Sequence, residues 1–126
     1  MVETATGRIH TVSAPTAALD PWPIPESQIT GGSPQAAGRF LWQSEDKRLG
    51  NGVWTCAPGS FTWEYTWDET IYLLEGEVTI ADQDGNSNTY RAGDLFFVPA
   101  GTSSSWEVTK AVRKVFHLRS DTPVEL

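Results

Sequence analysis

Short strand-like segments separated by turn residues occupy the chain from Phe40 to Leu118, and they constrain the fold more than any other feature. Turn signals such as Pro58-Gly59 and Asp84-Gly85 stand between them. No segment shows an apolar stripe at the helical period over three turns. Eight or nine antiparallel strands at this spacing predict an all-β sandwich or barrel, the jelly roll being the commonest small form. The predicted strands are 40–42, 52–56, 61–65, 70–74, 77–81, 89–90, 95–98, 104–108 and 112–118.

The first 38 residues do not follow this pattern. Residues 12–38 contain five of the eight prolines and three glycines. The sequence Pro21-Trp22-Pro23-Ile24-Pro25 must be extended, because each proline fixes its own φ and disfavours helix in the residue before it. Its apolar residues argue against the alternative of a disordered leader, so we expect an arm that lies on the barrel or on a partner subunit. We divide the chain into arm, barrel and C-terminal tail at 1–38, 39–119 and 120–126.

Two predicted strands are apolar on both faces, over Ile71 to Leu74 and over Leu95 to Val98. An antiparallel strand with one wet face should alternate between apolar and polar residues. Both faces of these strands therefore need cover, and the barrel core supplies it for only one. The uncovered face predicts a homodimer, and the alternative is that the N-terminal arm alone covers it.

Composition excludes several classes of protein. The 126 residues include 9 basic and 16 acidic side chains, a net charge of −7, so the chain lacks the basic stripe that a nucleic-acid partner requires. Its longest apolar runs are about five residues, far below the roughly 20 that span a bilayer. The start, Met1-Val2-Glu3-Thr4, does not resemble a signal peptide, and the lone Cys56 excludes an internal disulfide. These features predict a soluble cytoplasmic protein without membrane or nucleic-acid partners.

Two spaced motifs resemble those of the cupin superfamily. Glu69 is followed after six residues by Gly76, and Gly93, Pro99 and Gly101 reproduce the Gly-x5-Pro-x-Gly frame of the second cupin motif. The resemblance implies a double-stranded β-helix, or jelly-roll cupin barrel, preceded here by the extended arm. We expect Gly76 and Gly93 to end strands at tight turns.

The wider sequence around the first motif is similar to one branch of the superfamily. The strings 63–65, 68–70, 74–77 and 112–115 look like the small single-domain cupins grouped with the cupin domain of ureidoglycine aminohydrolase. An aminohydrolase-like activity is implied by that likeness alone, and fold likeness does not transmit activity.

The resemblance also locates the metal-ligand positions of the superfamily. Metal-dependent cupins use three histidines and a glutamate, and the histidine positions here are Trp63, Tyr65 and Ser104. Only Glu69 remains. An indole offers an N–H donor and cannot bind a metal, and zinc, iron and manganese usually take imidazole at such sites. We therefore predict a cupin that holds no metal and no other cofactor.

Residues that share the inward faces define the candidate site. The predicted catalytic residues are Glu69 and Lys114, and the choice of Lys114 over Val115 as the inward residue rests on the resemblance. The predicted ligand-binding residues are Trp63, Tyr65, Ser104 and Trp106.

Two interpretations of this site stay open. In the first, the indoles stack on a small polar or nitrogen-containing molecule or bind a cation, and desolvation raises the pKa of Glu69 so that it acts as an acid or base. In the second, the rings fill the space of the missing metal and Glu69 is hydrogen-bonded or paired with Lys114. The function is accordingly a binding module, a metal-free isomerase, lyase or hydrolase, or an aminohydrolase-like metalloenzyme.

Overall fold

The computed structural model describes residues 7–125, which form one nine-stranded sheet that curls on itself. Every strand pair in it is antiparallel. The described residues contain no α-helix, so none that could cross a membrane, and the predicted all-β class is confirmed. The strands are β1 Asp20–Pro21, β2 Ile29–Gly32, β3 Ala36–Gln43, β4 Leu49–Cys56, β5 Gly59–Glu64, β6 Asp68–Asp82, β7 Ser87–Arg91, β8 Leu95–Val98 and β9 Ser103–Arg119, with a 3-10 turn at Glu26–Gln28.

Two long strands organise the sheet. Strand β6 has 15 residues and β9 has 17, and they pair along most of their lengths. The first half of β9 pairs with β5 on its other side, and the second half pairs with β4. Strand β6 likewise pairs with β8 over its first half and with β7 over its second. Because each long strand changes neighbours midway, the sheet bends there and encloses a core.

Four of the predicted strands are the halves of two long strands in the structure, and Gly76 lies at the division within β6. The segments 70–74 and 77–81 are both part of β6, and 104–108 and 112–118 are both part of β9. Gly76 lies inside β6 with a φ of 92°, and a Cβ there would collide with the backbone of Ala111. The β6–β9 register shifts at this point, as at a β-bulge. The prediction that Gly76 ends a strand is therefore wrong, whereas Gly93 does lie in the turn between β7 and β8, with a φ of 97°.

The described part of the N-terminal arm, residues 7–38, lies against the barrel of its own chain. Strand β1 pairs with β3, and β2 pairs with β5. The Arg113 side chain donates hydrogen bonds to the carbonyls of Ala14 and Ala17, at 2.7 and 2.9 Å. The Trp22 ring lies 5.8 Å from that of Phe40. Residues 1–6 lie outside the described part, and the boundaries of arm, barrel and tail stay predictions.

Alternation along β9 creates the core. Every second residue from Ser104 to Val108 and from Val112 to Leu118 is buried. This pattern places Lys114 inward, while Val115 is only half-buried and His117 is exposed. Side chains from β6 complete the core.

The outer face of β6 and β8 remains uncovered by the described arm. Tyr72, Leu95 and Phe97 are 39%, 69% and 58% exposed, and Leu95 is the register partner of Tyr72. The alternative in which the arm alone covers this face is therefore wrong for residues 7–38. The predicted homodimer remains untested by a single chain.

Candidate functional site

Aromatic side chains line a small, partly open cavity inside the barrel. Its volume is about 50 Å³, whereas pockets for drug-sized ligands usually measure roughly 300–1,000 Å³. A space of this size holds a few water molecules or a ligand of a few heavy atoms. The lining residues come from the arm, from β4, β5, β6 and β9, and from the loop before β6, and they are Trp22, Pro23, Ile24, Trp54, Phe61, Trp63, Tyr65, Trp67, Glu69, Trp106, Lys114, Phe116 and Leu118.

The two predicted catalytic residues meet in a buried ion pair. Lys114 Nζ donates to Glu69 Oε2 at 2.6 Å, and the two side chains are 8% and 5% exposed. The indole N–H of Trp67 donates to the other oxygen, Oε1, at 2.8 Å. Glu69 and Lys114 reach each other because β6 and β9 are paired neighbours and both residues lie on their inner faces. Each carboxylate oxygen thus has a partner within the chain.

An aromatic cage surrounds the ammonium group of Lys114. Its Nζ lies 4.6 Å from the ring centroid of Trp54, 5.3 Å from that of Trp106 and 5.8 Å from that of Phe116. These distances are within the range of cation–π attraction. The aromatic wall that the sequence offers to a cationic ligand is therefore already occupied by a cation of the chain itself.

Tyr65 and Trp106 bring polar atoms into this aromatic surrounding. Burial raises the pKa of Tyr65 well above its usual range, the charge of Glu69 raises it further, and the indole N–H of Trp106 lowers it in part. Tyr65 therefore stays a neutral phenol at neutral pH. Trp106 stacks on Phe61 with ring centroids 5.5 Å apart, and within residues 7–125 its buried Nε1 forms no hydrogen bond of acceptable geometry.

The structure separates Ser104 from the other predicted ligand-binding residues. Trp63, Tyr65 and Trp106 line the cavity, but Ser104 does not. The Ser104 hydroxyl donates to the carbonyl of Trp63 at 2.8 Å, so it ties β9 to β5. The inward face of β9 is long, and its first residues lie beyond the cavity.

Several residues that line the cavity were not among the site residues predicted from the sequence. Trp22 and Ile24 come from the arm, and Trp54 comes from β4. Trp67 offers a signal that could have identified it, because it precedes Glu69 by two residues and such residues share a face in extended chain. The arm residues offer only their apolar character in a proline-rich segment.

A divalent cation does not fit the residues at the cupin metal position. Lys114 already places a positive charge on Glu69, and two of the other three positions carry Trp63 and Ser104. Across residues 7–125, no group of three or more His, Cys, Asp or Glu side chains is arranged to hold a metal ion. The absence of a metal or other cofactor from the functional protein stays a prediction.

Two curated proteins that are similar to this chain carry the same name, acetate kinase EutQ. Acetate kinase EutQ of Escherichia coli K12 is 29% identical over 90 residues, which cover 70% of this chain and 32% of that protein. Acetate kinase EutQ of Clostridioides difficile 630 is 29% identical over 72 residues, covering 57% and 45%. The chain thus spans less than half the length of either relative.

Solved structures share the fold. A DUF861-family protein of unknown function from Pseudomonas syringae pv. tomato is 30% identical, with a TM-score of 0.74 over 81% of this chain and 44% of that one. The EutQ protein of Clostridium difficile is 24% identical, with a TM-score of 0.69 over 87% and 86%. The cupin domain of Schizosaccharomyces pombe Cnp3 is 17% identical, with a TM-score of 0.67 over 90% and 76%. These similarities confirm the jelly-roll cupin barrel.

A family model defines the branch more closely. The model of the EutQ-like cupin domain matches residues 43–116, which is more than half of the chain. The resemblance to the cupin superfamily is thereby confirmed, while the likeness to the ureidoglycine aminohydrolase branch stays a prediction. The chain belongs to the EutQ-like cupin domain family.

Proposed function

We propose that this chain binds a small polar or nitrogen-containing molecule inside its cupin barrel, without a metal ion. The observation that carries the proposal is the ion pair of Glu69 and Lys114, which is buried in the cavity with a contact of 2.6 Å. Desolvating two charges costs several kcal/mol per ion, and apolar residues of similar volume are often equally stable in their place. The stability of the fold therefore gives little reason for a buried ion pair at this position, whereas a role in ligand recognition gives one.

The cavity volume limits the candidates. About 50 Å³ accepts a ligand of a few heavy atoms, so a nucleotide does not fit this space. The name of the curated relatives, acetate kinase, adds acetate as a candidate, because acetate has only four heavy atoms. The rest of an acetate kinase reaction needs a phosphoryl donor, for which this cavity leaves no room.

An enzyme without a metal is the second candidate, and one contact favours it. A carboxylate and an amine 2.6 Å apart can exchange a proton, so Glu69 and Lys114 form an acid–base couple beside any ligand in the cavity. An isomerase, lyase or hydrolase that moves a proton could use this couple.

A thermal-shift screen with small ligands tests the binding proposal. A ligand that binds only the folded state raises the melting temperature, by an amount that grows with its concentration over Kd. We expect a response in the wild type and in the control Glu77→Gln, which alters an exposed ion pair with Arg91. The response should be lost in Glu69→Gln.

Unchanged responses in both Glu69→Gln and Trp106→Phe would mean that the rings and the pair only fill the barrel. Turnover of a responding ligand that disappears in Glu69→Gln would favour the enzyme.

We also propose a homodimer, supported by the exposed apolar face of β6 and β8. Tyr72, Leu95 and Phe97 lie together on a regular antiparallel pair, and an exposed cluster of this kind is typical of an interaction surface. Light scattering at micromolar concentration measures the molecular mass, and a monomer would contradict the proposal. A cytoplasmic location is the companion proposal, supported by the single cysteine, Cys56, which is buried as a free thiol.

A further inference from the structure

A buried primary amine lies among the side chains that line the cavity. Lys114 lines it, and so do the groups around its Nζ, which are the carboxylate of Glu69 and the rings of Trp54, Trp106 and Phe116. A lysine amine that has lost its proton is a nucleophile that attacks carbonyl carbon. Ligand recognition and proton transfer, the two roles proposed above for Lys114, do not use this capacity to form a covalent bond.

The contact with Glu69 supplies the base that the amine needs. Glu69 Oε2 lies 2.6 Å from Lys114 Nζ, within reach of direct proton transfer. Burial disfavours charge, so moving a proton from the ammonium to the carboxylate costs less here than in water, which solvates both ions. The N–H of Trp67 holds the carboxylate through its other oxygen, Oε1. The pair therefore places a nucleophile and its base in fixed positions.

The rings around Nζ suit the product of a carbonyl reaction as well as the free lysine. An ammonium that condenses with an aldehyde becomes an iminium ion, which carries the same single positive charge on the same nitrogen. The ring centroids of Trp54, Trp106 and Phe116 lie 4.6, 5.3 and 5.8 Å from Nζ, so cation–π attraction stabilises an iminium there too. Glu69 remains its counter-charge. The condensation thus neither creates a buried charge nor leaves one unpaired.

We propose that Lys114 forms a reversible imine with an aldehyde of a few heavy atoms inside the cavity, and that Glu69 is the acid–base partner. This inference rests on the proposed function and names its ligand class. The cavity volume of about 50 Å³ sets the size limit. An aldehyde suits this limit better than a ketone, because one substituent on its carbonyl carbon is only a hydrogen.

The bond changes balance within the pair. Glu69 Oε2 takes one proton from the ammonium, and the lone pair freed on Nζ attacks the carbonyl carbon. The π electrons of the C=O bond move to the oxygen, which receives a proton from Glu69 to give a carbinolamine with a positively charged nitrogen. Glu69 then takes a proton from this nitrogen and gives it to the hydroxyl group, which leaves as water while the nitrogen lone pair forms the C=N bond. Ammonium and aldehyde have become an iminium ion and one water molecule, and Glu69 is an anion again.

Reductive trapping in the full chain tests the inference. Propanal is added at neutral pH with cyanoborohydride, which reduces an iminium to a stable propylamine, and digestion followed by mass spectrometry locates the propyl groups. The lysines of the chain are Lys47, Lys110 and Lys114. Lys47 is the matched control, because its Nζ also pairs with a carboxylate, that of Glu125 at 2.9 Å, but it is exposed and does not line the cavity.

We expect propylation of Lys114 to saturate with propanal concentration and to be at least about tenfold faster than that of Lys47, because only Lys114 has a buried acid–base partner. In urea this preference should disappear. Cyclohexanecarbaldehyde, which is too bulky for the cavity, should modify Lys47 but not Lys114.

Glu69→Gln should lower the rate at Lys114 at least about tenfold and leave Lys47 unchanged, because an amide cannot take the proton from Nζ. Glu77→Gln, which alters the exposed pair with Arg91, should change neither rate. Circular dichroism confirms that each variant is folded.

Three results would overturn the inference. Propylation of Lys114 in the wild type that is no faster than that of Lys47 would refute imine formation, and this comparison does not depend on the folding of any variant. Equally fast modification of Lys114 by cyclohexanecarbaldehyde would refute a reaction inside the cavity. An unchanged rate at Lys114 in folded Glu69→Gln would refute the role of Glu69. In each case the thermal-shift screen decides the proposed binding function separately, because that function needs no covalent bond.

Discussion

Replacing both members of the Glu69–Lys114 pair is expected to separate stability from ligand binding. Glu69→Leu alone leaves a buried ammonium without its counter-charge, and Lys114→Met alone leaves the carboxylate with only the N–H of Trp67. Removing one partner of a buried pair typically costs about 3–5 kcal/mol. We expect each single variant to lose stability in that range.

The double variant should recover most of this loss. Apolar replacement of a whole buried pair is often neutral or stabilising by about 1–4 kcal/mol. Against this gain, Trp67 loses its acceptor Glu69 Oε1, and an unsatisfied buried donor costs about 1–3 kcal/mol. The two terms nearly cancel, so we expect the double variant within about 2 kcal/mol of the wild type, still folded but unresponsive to ligand.

Urea unfolding at pH 7 gives the free energy of unfolding of the four proteins, and the ligand screen gives their responses. The control is the exposed pair Arg91–Glu77, whose replacement should change stability much less than either buried single variant does, because water screens exposed charges. If the losses of the two single variants simply add in the double variant, Glu69 and Lys114 do not stabilise each other as a pair. If the double variant keeps the ligand response of the wild type, the pair does not take part in binding.

The remaining predictions concern the bulge, the pH dependence and the outer face. Gly76→Ala should lower the free energy of unfolding, measured in urea, more than Gly85→Ala does. Both glycines have positive φ, but only at Gly76 would a Cβ collide with backbone atoms. Equal losses in the two variants would contradict this prediction. Burial raises the pKa of Tyr65, so above about pH 10 the unfolded chain loses the phenolic proton while the folded chain keeps it, and stability falls as pH rises. Unfolding between pH 9 and 11 should show a shallower fall for Tyr65→Phe. In light scattering, Phe97→Ser should shift the mass towards the monomer while Ile9→Ser, at an exposed position outside the face, should not.

Local patterns predicted the strands and the all-β class, whereas the cupin architecture and the inward face of the last strand were predicted from the resemblance. Turn residues marked most boundaries between strands, and the Glu69–Gly76 and Gly93–Gly101 frames placed them in one architecture. The exception at Gly76 has a physical cause. A glycine with positive φ is needed both in a tight turn and in a bulge where two backbones approach, so the sequence alone does not distinguish them. Only the contact with Ala111 does so.

The candidate site was predicted in part, and the missing part consists of long-range neighbours. Alternation shows which side chains share a face but not which residues of different strands meet, so Trp22 and Trp54 could not be assigned to the cavity from the sequence. Ser104 is the opposite case: it was predicted as a site residue because it lies on the inward face, and yet it does not line the cavity. The ion pair was one of two interpretations, and the register of β6 against β9 was needed to bring its members together.

The position of Lys114 gives one physical explanation for the absence of histidine at all three of the histidine positions. In the metal-dependent proteins that the sequence resembles, a glutamate faces a dissociable cation held by imidazoles. Here the ammonium of Lys114 supplies the positive charge beside Glu69, and aromatic rings take the space around it. Because this cation is covalently attached, the carboxylate is neutralised in every folded molecule. The ion pair therefore leaves neither of its two members with a free charge for a ligand in the cavity.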